Sequence, residues 1–329
     1  MGNKKNVQFN GNAGEYFRIW IVNLFLTFVT LGIYSPWAKV INNKYLYQNL
    51  SIDSHRFDYI AEPIQILKGR LLAVFLLIIF SILTTLSETL YYVGLLLIFI
   101  AAPWIINRSL SFQLRMTTYR NVSFDFKGDY WNTLLYFSVL PFVSVFTLFL
   151  ALPFFLKLSD EYKISSTRFG DKSFITKLSS GEYYGAFFIV IAASIGIGVI
   201  ASIIFLLVSS SIAFISGFIA YIAFIAISTA VWTSIIRNHT FNNSKLLDVA
   251  SFQSNMNIIT YCYITFTNII ALIFSLGLAS PWVAIRNMKY LSETLIVETG
   301  EEIDSVMNDI TSNNSAVLDE VAGAFDIEI

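Results

Sequence analysis

The chain has 329 residues, of which 56% are hydrophobic and only 13% are charged, whereas soluble domains carry about 25% charged residues. So few charges cannot cover a soluble globule of this size, which excludes an ordinary soluble protein and indicates that much of the surface faces lipid. Nine of the 22 acidic residues lie from residue 298 onward, where there is no Lys or Arg, so the first 297 residues hold 21 basic residues against 13 acidic ones. This basic part is typical of loops beside anionic lipid headgroups.

Seven apolar segments follow one another along the chain, most of them near the roughly 20 residues that a helix needs to cross a bilayer. They cover residues 16–37, 69–87, 90–106, 130–156, 182–208, 211–235 and 258–282. The segments are continuously apolar and do not alternate, which favours helices over a lipid-facing barrel. We therefore predict an all-α integral membrane protein with about seven hydrophobic helical segments, and the short links at 87–89 and 209–211 predict two helical hairpins.

An internal repeat connects the two ends of this arrangement. The sequence "LGIYSPWAKVINNKYL" at residues 31–46 returns as "LGLASPWVAIRNMKYL" at 276–291, and ten positions of a 24-residue window are identical at this one offset of 245. Weaker copies carry Pro103-Trp104, Pro153-Phe154 and Val231-Trp232 in the Pro-Trp place. The repeat predicts five equivalent junctions between a helix and a loop.

A phenylalanine follows the aromatic residue of four copies at a spacing of 20 residues. These residues are Phe57, Phe124, Phe174 and Phe252, and the corresponding place after Trp282 is Glu302. Two copies extend the match as "FDY" and "FDF". We predict that the loops form short amphipathic or β-like elements at the membrane surface.

Four motifs together resemble the YjgN-like family of bacterial inner-membrane proteins, a domain family of unknown function. They are "FNGNAGEYF" at 9–17, "TLGIYSPWAKVINNKYL" at 30–46, "HRFDY" at 55–59 and "VAGAFDIEI" at 321–329. The resemblance spans nearly the whole chain and implies a multi-pass protein of the bacterial inner (cytoplasmic) membrane. It implies no catalytic residue, substrate or cofactor. This chain departs from the family pattern at Pro153-Phe154 and in its long acidic tail.

The repeat divides the chain into five parts. We predict an N-terminal cytoplasmic or interfacial segment, two repeat halves with three apolar segments each, a last apolar segment with the terminal repeat, and an acidic, mobile tail. Their boundaries are 1–15, 16–128, 129–257, 258–297 and 298–329.

Two membrane topologies remain open at this stage. The repeat loops 39–70, 108–127 and 157–177 are all basic, so placing all of them in the cytoplasm satisfies the positive-inside rule. The segments 16–37, 130–156 and 258–282 must then enter and leave on the same side, as re-entrant or in-plane segments. If all seven segments span instead, the two halves have inverted topology, as in many transporters.

Asn23 and Asn268 occupy the same place in the first and last repeat, within apolar segments. Amides in lipid are costly unless they are partnered, so they are candidates either for an intramembrane substrate path or for helix packing. Interfacial anchors are expected at the repeat tryptophans, which are Trp37, Trp104, Trp232 and Trp282. Candidate contacts to anionic lipid headgroups are the loop cations Lys39, Lys44, Arg56 and Arg120.

Motifs of enzymes are missing from the sequence. It has two histidines and one cysteine, and it contains no HExxH, P-loop or GxSxG pattern. We expect no catalytic residue, metal or cofactor, and no nucleic-acid partner; protein partners are left open. Two functions remain: transport or permeation of a small solute, and a non-transporting membrane scaffold that binds lipid headgroups.

Overall fold

The computed structural model describes residues 3–208, 210–247 and 249–299. Within these ranges the chain forms eleven α-helices, one π-helical turn and ten short strands. The helices are α1 Ala13–Val29, α2 Ser35–Gln48, α3 Pro63–Leu86, α4 Glu88–Arg115, α5 Tyr130–Leu134, α6 Leu140–Phe146, α7 Leu152–Ser165, α8 Ser180–Leu207, α9 Ser210–Asn242, α10 Ile258–Phe274 and α11 Ser280–Glu293, with the π turn at Leu135–Val139. The strands are β1 Asn3–Phe9, β2 Leu50–Ile52, β3 His55–Tyr59, β4 Thr117–Tyr119, β5 Val122–Phe126, β6 Thr167–Phe169, β7 Lys172–Thr176, β8 Ser244–Leu246, β9 Ala250–Ser254 and β10 Leu295–Thr299.

The ten strands form one closed antiparallel barrel in the order β1-β10-β9-β8-β7-β6-β5-β4-β3-β2. Four repeat loops fold as the hairpins β2–β3, β4–β5, β6–β7 and β8–β9. The fifth hairpin has no connecting turn, because its strands are β10 and β1 from opposite ends of the sequence. An ion pair between Lys4 and Glu298 (2.9 Å) bridges these two strands.

The prediction of an all-α protein is therefore wrong. The interfacial loops are strands of three to seven residues, which are too short to show an alternating pattern in the sequence. They are stable because each strand pairs on both sides around a closed ring, which leaves no unpaired edge. Tight turns with positive φ at both central residues, such as Asp53-Ser54 and Arg120-Asn121, join the strands of the first two hairpins and match their twist.

The prediction of about seven hydrophobic helical segments is also wrong. Four helices are long and apolar enough to cross a membrane, namely α3, α4, α8 and α9. They form two pairs, α3 with α4 and α8 with α9, as the short links predicted. The remaining apolar segments 16–37, 130–156 and 258–282 are each broken into shorter helices.

Each of these three segments turns back on itself through the same hydrogen-bonded turn. After α1 the amide of Leu31 donates to Phe28 and the amide of Gly32 donates to Thr27, which is the Schellman pattern at a helix C-terminus. The turns at 276–277 and 148–149 have the same pair of bonds. Gly32 has a φ of 91°, a conformation that glycine adopts without a side-chain clash.

The tips of the three re-entrant hairpins are strongly apolar and exposed. Leu31 is 94% exposed, Leu148 82% and Leu276 93%. Exposed side chains of this kind are stable in lipid and not in water. We therefore expect the hairpins to extend into the membrane from the side of the barrel and to return to it.

All five strand hairpins lie in one barrel, so all the basic repeat loops lie on one side of the helices. Of the predicted acidic tail, Glu298 and Thr299 belong to β10. Residues 300–329, and with them the rest of that tail and Glu302, lie outside the described residues.

Labelling with a membrane-impermeant thiol reagent tests this one-sided arrangement. After removal of the native Cys262, single cysteines at the exposed turn positions Ser54, Asn121 and Asp171 should react from the same side, which the positive-inside rule predicts to be the cytoplasm. A cysteine at the exposed Glu88, the first residue of α4, should react only from the opposite side. Alternation among the three turn positions would contradict the re-entrant arrangement.

A partly buried ion pair fixes the second strand hairpin to α4. Asp125 in β5 accepts hydrogen bonds from Nε of Arg115 (2.8 Å) and from the Ser111 hydroxyl (3.1 Å). Burial alone would raise the pKa of the Asp125 carboxyl, but the bonds from Arg115, the Phe126 amide and Ser111 hold that pKa below its ordinary value. Above the ordinary aspartate pKa the interaction stabilises the fold fully, and the contribution is lost as pH falls through the depressed pKa.

Replacing this aspartate should therefore have a pH-dependent effect on thermal stability. Asp125→Asn is expected to lower the Tm in detergent at about pH 7, and the difference from wild type should shrink toward about pH 3. The matched control is Asp58→Asn, since Asp58 holds the same place in the first hairpin but accepts from the neutral Gln48 (3.0 Å). A pH-independent difference for Asp125→Asn would contradict the interpretation.

Candidate functional site: an apolar cavity inside the barrel

The two repeat asparagines are buried and hydrogen-bonded between helices. The Asn23 amide donates to Asn42 (3.0 Å), which joins α1 to α2, and the Asn268 amide donates to Asn287 (3.0 Å), which joins α10 to α11. Asn268 also accepts from Arg286 (3.0 Å). Their proposed place on a substrate path stays a prediction, because these contacts describe only how the two re-entrant hairpins are closed.

The four repeat tryptophans lie at one level of the equivalent helices α2, α4, α9 and α11. Trp104 is 57% and Trp282 43% exposed, and an arginine guanidinium lies over each ring. Trp37 stacks on Tyr34 with centroids 6.0 Å apart. Trp232 packs edge-on against Tyr183. Interfacial anchoring stays a prediction for all four.

The predicted headgroup contacts do not converge on one site. Lys39 and Lys44 are exposed on α2, and Arg56 is exposed at the start of β3. Arg120 lies in the turn between β4 and β5, where its φ is 52°. Binding of lipid headgroups by these residues stays a prediction.

Inside the barrel lies a cavity of about 370 Å³ that the sequence analysis did not predict. Its walls come from the inward faces of the strands, and one end is closed by Ile164 of α7 and by Thr240 and Phe241 of α9. Six aromatic residues of the strands line it, namely Phe57, Tyr119, Phe124, Phe169, Phe174 and Phe252. The few polar lining groups are hydroxyls of Thr, Ser and Tyr. The cavity is therefore suited to an uncharged, apolar group.

The sequence repeat builds this lining directly. The third residue of the first strand of each hairpin faces the cavity, and these residues are Ile52, Tyr119, Phe169, Leu246 and Val297. The four phenylalanines with the 20-residue spacing line it from the second strands. In the fifth hairpin the second strand is β1, and its register places the buried Val7 in the phenylalanine position. The 20-residue spacing was thus a detectable signal for the cavity lining. The fifth copy does not show it, because the equivalent residue, Val7, lies at the other end of the chain.

The rings form a connected aromatic lining. Phe124 and Phe174 stack at 6.5 Å, and Phe174 and Phe252 stack at 6.0 Å. Phe169 packs against Phe124 at 4.8 Å and against Tyr119 at 6.4 Å. Contacts of this kind order the rings around an open centre.

A second cavity of about 460 Å³, the vestibule, adjoins the first where the barrel meets the helices. The two cavities share the lining residues Ile164, Thr240 and Phe241. Unlike the barrel cavity, the vestibule has charged lining residues, which are Asp160, Lys163 and Arg237. Neither Asn23 nor Asn268 lines either cavity.

Leucine substitution at the two repeat asparagines should reveal their part in packing. Asn268→Leu is expected to destabilise the protein by about 1 kcal/mol or more, because it removes a hydrogen-bond partner from both Asn287 and Arg286. Asn23→Leu should cost less, since the partners of Asn23 are the uncharged Asn42 and Tyr34. Thermal unfolding in detergent measures both. Unchanged melting of both variants would contradict this role.

Comparison with known proteins agrees with the resemblance found in the sequence. Residues 4–324 match the family described as "Bacterial protein of unknown function (DUF898)". The inner membrane protein YjgN of Escherichia coli O157:H7 is 35% identical over 153 residues, which are 43% of this chain and 36% of the relative. YjgN of Salmonella typhimurium (strain LT2) is 32% identical over 201 residues, which are 59% of this chain and 45% of the relative.

The aligned part of the chain thus spans less than half the length of either relative. No solved structure matches the chain. The names of the relatives and the four long apolar helices agree that this is a multi-pass protein of the bacterial inner membrane. Since the match covers nearly all of its residues, the chain belongs to the DUF898 family of bacterial proteins of unknown function.

Proposed function

We propose that the protein is a non-transporting binding protein that holds an apolar chain of the lipid class in its barrel at the membrane surface. The observation that carries this proposal is the aromatic cavity of about 370 Å³. Its size falls in the range of small-molecule sites, roughly 300–1,000 Å³. Protein interiors otherwise contain few voids larger than a water molecule, so a space of this size inside a small barrel is suited to a ligand.

The position of the cavity supports a ligand that comes from the membrane. The barrel is connected to the helices without any linker, as α9 ends at Asn242 and β8 begins at Ser244. The vestibule leads from the helix ends to the cavity and shares three lining residues with it. An acyl or isoprenoid chain would replace lipid contacts with aromatic ones, and it would satisfy the apolar walls without unpaired polar groups.

Transport of a small solute is the alternative, and two observations weigh against it. Asn23 and Asn268 are engaged in helix contacts and line neither cavity. In addition, α3 packs mainly on α4 and α2, has no buried residue, and shares no extended contact with α8 or α9 among the described residues. The four long helices of one chain therefore do not enclose a common path. We also propose that binding involves no catalysis.

Filling the cavity tests the proposal. Ala250 lines the cavity from β9, so Ala250→Phe should reduce binding of a fluorescent fatty-acid analogue by about tenfold or more while the fold is retained. The matched control is Ile175→Phe, which adds a similar ring at an exposed position of β7 and should bind like wild type. Equal binding by wild type and Ala250→Phe would contradict the proposal, as would an absence of binding by the wild type in nanodiscs of neutral lipid.

A further inference from the structure

The vestibule contains an arginine whose charge is not neutralised. Arg237 of α9 donates from Nη2 to the backbone oxygen of Leu291 (2.7 Å), and its guanidinium lies 4.8 Å from the ring centroid of Phe241. Its Nε is buried and has no hydrogen-bond partner within the described part of the chain. Arginine presents five N–H donors in a planar fork, and Arg237 lines the vestibule with donors beyond the one that Leu291 engages.

The neighbouring acidic side chains are engaged elsewhere. Asp160 accepts from Lys163 (3.1 Å) with one carboxylate oxygen and from the Tyr183 hydroxyl (2.9 Å) with the other. Glu161 accepts from Lys157 and from the Leu178 amide. Among the residues that the structure describes, no carboxylate lies within ion-pair distance of Arg237. The charged lining residues of the vestibule therefore sum to one positive charge.

A partly buried guanidinium without a counter-ion is costly, and carboxylates and phosphates match its fork of donors. Arg237 also lies near the C-terminal end of the long apolar helix α9, five residues before that helix ends at Asn242 and close to the barrel. Phe241, which its guanidinium covers, lines both cavities. A negatively charged group bound at Arg237 would thus be next to the entrance of the barrel cavity.

We infer that the vestibule is the headgroup site for an amphipathic anion, whose carboxylate or phosphate binds Arg237 while its apolar chain occupies the barrel. This inference rests on the proposed function, since it assigns the charged end of the same ligand. Lys163 adds positive charge beside the site and remains paired with Asp160.

The experiment compares three competitors with one chain and different heads: dodecanoate, dodecyl phosphate and dodecanol. Each displaces a fluorescent apolar probe from the full-length protein in nanodiscs of neutral lipid. Wild type should bind at least one anion about tenfold or more tightly than dodecanol, and the stronger of the two identifies the head as carboxylate or phosphate. Arg237→Gln should abolish this preference and leave dodecanol binding unchanged, whereas Arg237→Lys should retain part of it.

The controls separate this inference from the function on which it rests. Lys245→Gln removes an exposed cation of β8 outside the vestibule and should keep the preference for the anion. Equal affinity of wild type for all three competitors, or an anion preference that survives Arg237→Gln, would overturn the headgroup site while leaving the barrel ligand in place. Failure of all three competitors to displace the probe would overturn the proposed function itself. If Arg237→Gln does not fold, the wild-type preference and its reduction in Arg237→Lys decide the question.

Discussion

Backbone pairing between β1 and β10 is the interaction on which the rest of the structure depends. Hairpins with strands as short as three residues are not stable alone, and an open sheet of such strands would expose two unpaired edges. Pairing of Asn3–Asn6 with Ile296–Thr299 joins the two ends of the described chain and closes the ring. The ion pairs Lys4–Glu298 and Lys5–Asp53 lie at this closure.

Closure of the ring also determines how the chain meets the membrane. Every hairpin begins and ends at the same face of the barrel, so each connecting segment must leave that face and return to it. Two of the connections are long enough to cross the bilayer and come back as the pairs α3/α4 and α8/α9. The other three are too short, and each reverses at a Schellman turn with an apolar tip. Short and long connections can thus alternate while the five strand hairpins keep one approximately five-fold arrangement in the barrel.

Closure of the barrel also brings together the apolar and charged side chains that line the two cavities. Five equivalent positions bring aromatic and aliphatic side chains to one centre, which creates the apolar cavity. The equivalence is broken at the helix ends, where the fourth repeat carries Arg237 in α9 and the third carries Asp160 and Lys163 in α7. An apolar space and a positively charged space therefore meet at Phe241. Their contact is what makes an amphipathic anion the suitable ligand class.

The sequence by itself determined that the protein lies in a membrane, that two helical hairpins cross it, and that one helix-to-loop unit recurs five times. These features depend on composition and on local or evenly spaced patterns, such as the Pro-Trp motif and the phenylalanine 20 residues after it. Only the tertiary structure decided that the loops are strands, that 16–37, 130–156 and 258–282 turn back to the barrel, and that Val7 completes the last repeat. The physical reason is that a strand of three to five residues acquires its stability from partners far away in the sequence. The cavity arises in the same way, because its lining residues come together only when β1 meets β10 and the barrel closes.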